Sequence, residues 1–245
     1  MKLTLKKTII TLSLFILPFQ IVAQPELTAE DKRLFSEVKL KAVKNDASAQ
    51  YQLAQMYYSG LGVIQNVNSA RLWADAAAKN GNPEGYTLLA DISLLSDSYF
   101  TQEFVAARQF ATKAVEQGSV RGKISLAESL INPIAGSTDY PQSIQLLEEV
   151  IELNNPDYFS APLMLGIIYL DGKGVPMDEQ KAQEWFDKAD AMTYAGYAEW
   201  MAAFRFAEDN TGTVTLDQQK AKKLRGLACE KGRKAGNEMF CLGEQ

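Results

Sequence analysis

The sequence predicts an all-α solenoid: about five helix-turn-helix repeats behind an N-terminal capping helix. Two observations carry this. First, Leu53, Tyr57, Gly60, Gly62, Val63, Ala70, Trp73 and Ala77 recur as Leu165, Tyr169, Gly172, Gly174, Val175, Ala182, Trp185 and Ala189. Each pair is 112 residues apart. Eight identities at one offset make an internal repeat rather than an accident of composition. Second, a trio of apolar residues, small-large-small in four of five cases, recurs as Ala70/Trp73/Ala77, Ala107/Phe110/Ala114, Ile144/Leu147/Ile151, Ala182/Trp185/Ala189 and Ala221/Leu224/Ala228. The large residues are 37, 37, 38 and 39 apart. Spacings of three and four put each trio on one helix face. A period in the thirties is that of a two-helix repeat, which buries its apolar faces only by stacking on its neighbours.

The elements follow in order. Lys2, Lys6 and Lys7 precede an apolar run from Ile9 to Phe19, and Ala23 ends the segment. Residues 1–23 therefore read as a secretory signal peptide, too short in its apolar part to span a bilayer comfortably. Periplasmic or secreted localisation is expected, with no stable membrane insertion after cleavage. Residues 24–46 form the capping helix, with Thr28 as its N-cap and Asp31 in the capping-box slot. Residues 47–245 form the repeats.

In each repeat a first helix (A) turns into a second (B). Leu53-Ala54, Leu89-Ala90, Leu126-Ala127, Leu165-Gly166 and Met201-Ala202 mark the A helices. Asn66, Asp178 and Asp217 stand where B helices begin and are expected there as N-caps or first-turn acids. Gly81, Gly118 and Gly232, with Asn155 in the third unit, are expected to close B helices. Two units depart from the pattern. The second has Ser96-Asp97-Ser98-Tyr99-Phe100 in place of the glycine turn, and the third has a longer polar connection from Asn132 to Asp139.

Composition narrows the chemistry. The chain of 245 residues is 47% hydrophobic and contains no histidine. Histidine-based triads, histidine metal sites and histidine pH switches are thereby excluded. Without the leader, 22 basic residues face 30 acidic ones, a net charge of −8. Such a surface suits no nucleic acid; a protein partner, and a basic one best, fits it. No nucleophile elbow, phosphate loop or metal-ligand spacing is present. No catalytic residue, cofactor or metal is expected.

The residues Leu165-Gly166, Tyr169, Gly172, Gly174-Val175, Asp178, Lys181-Ala182, Trp185 and Lys188-Ala189 match the pattern L-G-x-x-Y-x-x-G-x-G-V-x-x-D-x-x-K-A-x-x-W-x-x-K-A. The chain thus resembles the Sel-one-like repeat family, relatives of tetratricopeptide repeats. The resemblance covers roughly Ala47 to the C-terminus. It is strong in the first and fourth units, holds in the B half of the fifth, and is weak in the second and third. It implies a right-handed α-α superhelix whose members act as adaptors and scaffolds, many of them in the bacterial envelope. It also implies a peptide-binding inner surface lined by A helices.

One row of A-helix positions varies between units: Tyr51, Gln55 and Tyr58 in the first, Leu163, Ile167 and Leu170 in the fourth. At its last slot the units read Tyr58, Leu94, Ile131, Leu170 and Phe206. Such a stripe reads as core, with a groove for a partner helix or strand as the alternative. Tyr51, Gln55 and Tyr58 are the candidate partner-binding residues there, because their polar tips suit an interface. Lys220 and Lys223 are candidates at the other end. They lie in a run with Lys222, Arg225, Lys231, Arg233 and Lys234, which is either a solvated face or a patch for an acidic partner. Cys229 and Cys241, the only cysteines, are expected as a disulfide closing the last repeat, or else as two buried thiols. The expected function is an envelope scaffold or regulator. The alternatives are an inhibitor or immunity protein that occludes a toxic enzyme and, from another class, a cell-wall or peptide-processing hydrolase.

Overall fold

A computed structural model of the chain describes residues 28–94, 101–209 and 212–241. The expected signal peptide and the Ser96–Phe100 segment lie outside the described residues. Within them, every regular element is helical: eleven α-helices and two 3-10 turns. The helices are α1 Ala29–Ala42, α2 Ala47–Ser59, α3 Val67–Lys79, α4 Glu84–Leu94, α5 Thr101–Glu116 and α6 Val120–Ile131, followed by α7 Tyr140–Ile151, α8 Ser160–Asp171, α9 Glu179–Met192, α10 Tyr197–Glu208 and α11 Gln218–Lys234. The chain divides after Gly85 into two compact units. None of the described helices is long and apolar enough to cross a membrane.

Local chemistry sets the helix starts. The Asp46, Asn66, Ser119, Asp139, Asp178 and Asp217 side chains each accept the backbone N–H three residues on. That satisfies one of the four N–H groups a helix leaves unpaired at its start. Thr28 does the same for α1, accepting from Asp31 at 3.0 Å.

The repeat pattern becomes packing. The small residues of the B helices, among them Ala70, Ala77, Ala107, Ala114, Ala182, Ala189, Ala221 and Ala228, are sealed from solvent, and Leu147 and Leu224 fill the space between layers. In the first unit α1 closes onto α2, where Val38, Ala42, Ala49, Leu53 and Met56 form one cluster. In the second, Leu126, Leu130, Leu147, Val150, Leu165 and Ile168 form a core spanning α6 to α8, and a further core spans α8 to α11.

Two of the glycines are dictated by their neighbours. Gly62 and Gly174 occupy the same slot of the repeat at φ of 71° and 73°. A β-carbon at Gly62 would run into the Asp31 carbonyl, and one at Gly174 into the Tyr140 ring. Positive φ and missing space both demand glycine there.

Three expectations are corrected. Gly232 does not close α11: the helix runs on to Lys234. Gly232 instead lies where the Asn237 carbonyl comes too close for a β-carbon. In the third unit the left-handed residue is Asn154, at φ 47°, while Asn155 caps the 3-10 turn Pro156–Tyr158.

The third correction concerns register in the fifth repeat. Helices α8 and α10 have equal length and start 37 residues apart. The N–H of the B-helix N-cap donates to the carbonyl of Tyr57 from Asn66, of Tyr169 from Asp178 and of Phe206 from Asp217. Phe206 therefore takes the tyrosine slot, and Ala202-Ala203 corresponds to Leu165-Gly166 instead of Met201-Ala202. The turn after α10 is two residues longer than the one after α8, which hides the true register from an alignment made on the B helices. The variable row thus reads Tyr51/Gln55/Tyr58, then Leu163/Ile167/Leu170, then Trp200/Phe204/Ala207.

Candidate partner-binding surfaces

The variable row has three fates. In α8 it is core: Leu163, Ile167 and Leu170 are buried in one cluster with Tyr197, Met201 and Phe206. The next A helix, α10, covers them. The groove alternative is thereby closed at these positions and at Ile131, which is 2% exposed. In α2, Tyr51, Gln55 and Tyr58 are half-buried. Gln55 donates to the Tyr51 hydroxyl at 2.9 Å, and Gln65 donates to the Tyr58 carbonyl at 2.7 Å. In α10, Trp200, Phe204 and Ala207 are half-buried. The Trp200 and Phe204 rings stack edge-on with centroids 4.6 Å apart.

The basic run of α11 is largely neutralised within the fold. Lys220 turns inward: its ammonium lies 4.7 Å over the Phe206 ring and donates to the Leu170 carbonyl at 3.0 Å. One repeat earlier, the Lys181 ammonium lies 4.1 Å from the Tyr169 ring centre and donates to the Tyr169 hydroxyl at 2.8 Å. The lysine of the motif is thus a stacking element in both repeats. Lys223 pairs with Glu179 at 3.0 Å, Lys234 with Glu230 at 2.6 Å, and Arg233 approaches Glu238 at 4.0 Å.

Lys231 is the centre of a polar hub. Its ammonium contacts Asp187 at 2.5 Å, Asp190 at 3.0 Å and Glu199 at 2.5 Å. Gln183 donates to Glu199 at 2.7 Å. Asp190 also accepts the N–H groups of Gly196 and Ala198, both at 2.8 Å, and so fixes the entry into α10. Burial pushes the Glu199 carboxyl above its ordinary range and Asp190 adds to this, against the pull of Lys231 and Gln183. Burial works against the Lys231 ammonium too, but its bonds to Asp187, Glu199 and Asp190 outweigh that cost and raise its pKa. Three carboxylates within reach of one another would otherwise repel; here the lysine charge holds α9, α10 and α11 together. The sequence reading missed this hub. Its one signal was a glutamate in the otherwise apolar start of α10, and its partner stands 32 residues away.

Arg108 was also missed. It reaches from α5 to the carbonyls of Ser129 and Ser137, at 2.8 Å for Ser137, and pins the long third-unit connection. Cys229 and Cys241 form a disulfide across 12 residues. It fastens the 3-10 turn Met239–Cys241 to α11 and seats Phe240, 4% exposed, against Tyr197 and Trp200.

The geometry defines an all-helical repeat protein whose recurring residues serve stacking and turning and whose variable rows differ from one repeat to the next. The Sel1 repeat model matches residues 47–82 and 161–189. The chain is 33% identical over 235 residues to the Sel1-repeat-containing protein YjcO of Escherichia coli K12, covering 96% of this chain and 97% of that protein. A sel1 repeat protein from Klebsiella pneumoniae, known from its crystal structure, superposes with a TM-score of 0.74 at 32% identity, over 86% of this chain and 99% of that one. A Sel1 repeat protein from Oxalobacter formigenes shares the fold, with a TM-score of 0.53 at 24% identity over 84% of this chain and 80% of that one. The chain belongs to the Sel1-repeat family. Proteins of this family generally mediate protein–protein interactions.

Proposed function

We propose that the chain is an exported interaction protein of the bacterial envelope, a scaffold or regulator that binds a protein partner. What carries this is the division of labour in the repeats. The motif residues are spent on packing, while the variable row of α2 presents Tyr51, Gln55 and Tyr58 half-open to solvent. Aromatic residues with polar tips in an otherwise acidic chain suit a basic protein surface. Export is supported by the N-terminal leader pattern and by the Cys229–Cys241 disulfide, which an oxidising compartment allows to persist. Packing supports a preformed surface, which lowers the ordering cost of association. The acidity also favours a second reading, an inhibitor that occludes a basic enzyme.

The test is affinity capture with the mature chain from envelope extracts, alongside Tyr51→Ala/Tyr58→Ala and Lys222→Glu/Lys223→Glu. Loss of a partner with the tyrosine pair alone places binding on α2. Loss with the lysine pair alone moves it to α11. A purified chain that turns over wall fragments or peptides would sink the reading. Mass spectrometry of the exported chain should find Gln24 at its N-terminus.

A further inference from the structure

The row Trp200/Phe204/Ala207 is the interface that each repeat offers to the next one, left partly bare. One repeat earlier, the same row is Leu163/Ile167/Leu170, and helix α10 lies over it. The first contact of that cover is aromatic: Tyr197, at the start of α10, meets Phe159 edge-on with centroids 5.6 Å apart and shares a cluster with Leu163. Phe240 repeats this contact one layer on. Its ring lies 6.3 Å from Tyr197 and 5.7 Å from Trp200. Tyr197 holds the slot next to that of Phe159, and Trp200 holds the slot of Leu163. The turn Met239–Cys241, bonded through Cys241 to α11, thus stands where the first turn of a sixth A helix would stand. Among the described residues, no helix follows it over Phe204 and Ala207; α11, α9 and α8 pack on α10, and Arg205 of α10 reaches Glu128 of α6 at 3.2 Å.

We propose that this row receives an amphipathic helix of a partner protein, docked on α10 as α10 docks on α8. This rests on the protein-binding reading above and gives it a second, separate site. The molecule itself shows what covers such a row, since the interface is continuous with the one between α8 and α10. The spacing 200, 204, 207 calls for a helix carrying apolar residues at i, i+3 or i+4 and i+7. Two aromatic rings supply area at low entropic cost. Met239, 53% exposed beside Phe240, adds an adaptable edge to the base of the site.

The experiment places a photo-crosslinking benzoylphenylalanine at position 204 of the full chain, and separately at Gln55 and at the exposed Leu72 of α3, in cells that express it. The proposal expects position 204 to crosslink to one protein, with the linked peptide inside an amphipathic helical segment. That segment, made synthetically, should bind the wild-type chain, and Trp200→Ser/Phe204→Ser should weaken it at least tenfold with the fold intact by circular dichroism. A synthetic segment that binds both chains equally overturns the site. A crosslink to a second copy of this chain overturns the partner helix in favour of self-association. Crosslinks at 55 but none at 204 overturn this site and leave the protein-binding reading standing. Silence at all three positions overturns both.

Discussion

Repeats four and five solve the same problem differently. Their A helices match in length, their B helices carry the same N-cap, and their motif lysines lie over the same ring slot. Repeat four has a neighbour and seals its variable row with apolar contacts. Repeat five lacks that cover among the described residues. Its row is half-bare, and a buried charge hub and a disulfide hold it in place. The contrast teaches that a repeat with its row covered relies on stacking, whereas one with its row half-bare adds specific polar and covalent links to its apolar core.

The largest break in the comparison comes from Lys231→Met. It leaves Asp187, Asp190 and the fully buried Glu199 without their cation. Removing one partner of a buried charge cluster costs about 3–5 kcal/mol, read as a drop in the urea midpoint. The wild-type contribution has a definite pH sign. Because the Lys231 pKa is raised in the fold, its stabilisation is complete below the ordinary lysine range and is lost as pH climbs through the raised value. Alkaline melts of the wild type and of Lys231→Met should converge.

The row itself offers the sharper contrast. Leu163→Ala empties a covered site and should cost about 2–4 kcal/mol. Phe204→Ala, at the equivalent of Ile167 but with no helix above it among the described residues, should cost no more than about 1 kcal/mol. Equal losses would show that α10 is covered as fully as α8. Replacing both cysteines by serine frees the turn carrying Phe240, and closing a loop of this length is worth about 2–3 kcal/mol. The effect should be confined to repeat five. Smallest is Glu199→Gln. Its carboxyl pKa is raised, so its contribution is full below the ordinary carboxylate range and weakens as pH rises through the raised value. At neutral pH the amide, which still bonds to Gln183, should change stability by less than about 1 kcal/mol.

Much of the fold was legible because its signals are local. Caps at Thr28, Asn66, Asp178 and Asp217 act over three residues, and the B-helix trios span two turns. The Cys229–Cys241 bond was legible too, as neighbouring segments only 12 residues apart. The register of α10 was not. Its true partner slots emerge only once the Asp217 N–H is seen to meet the Phe206 carbonyl across a longer turn. The basic run looked like a surface patch because sequence shows charges but not where they point. Lys220 points at Phe206 and Lys231 into a carboxylate cluster. Glu199 and Lys231 lie on different helices, and no period links them.

Hydrogen–deuterium exchange, read by mass spectrometry on the wild type and Lys231→Met, tests most directly whether the terminal repeat hangs on its polar hub. Loss of the hub should speed exchange in α10 and α11, raise it less in α8 as its cover loosens, and leave α2 and α3 unchanged. Uniform acceleration along the whole chain, or unchanged protection of α10, would contradict that dependence.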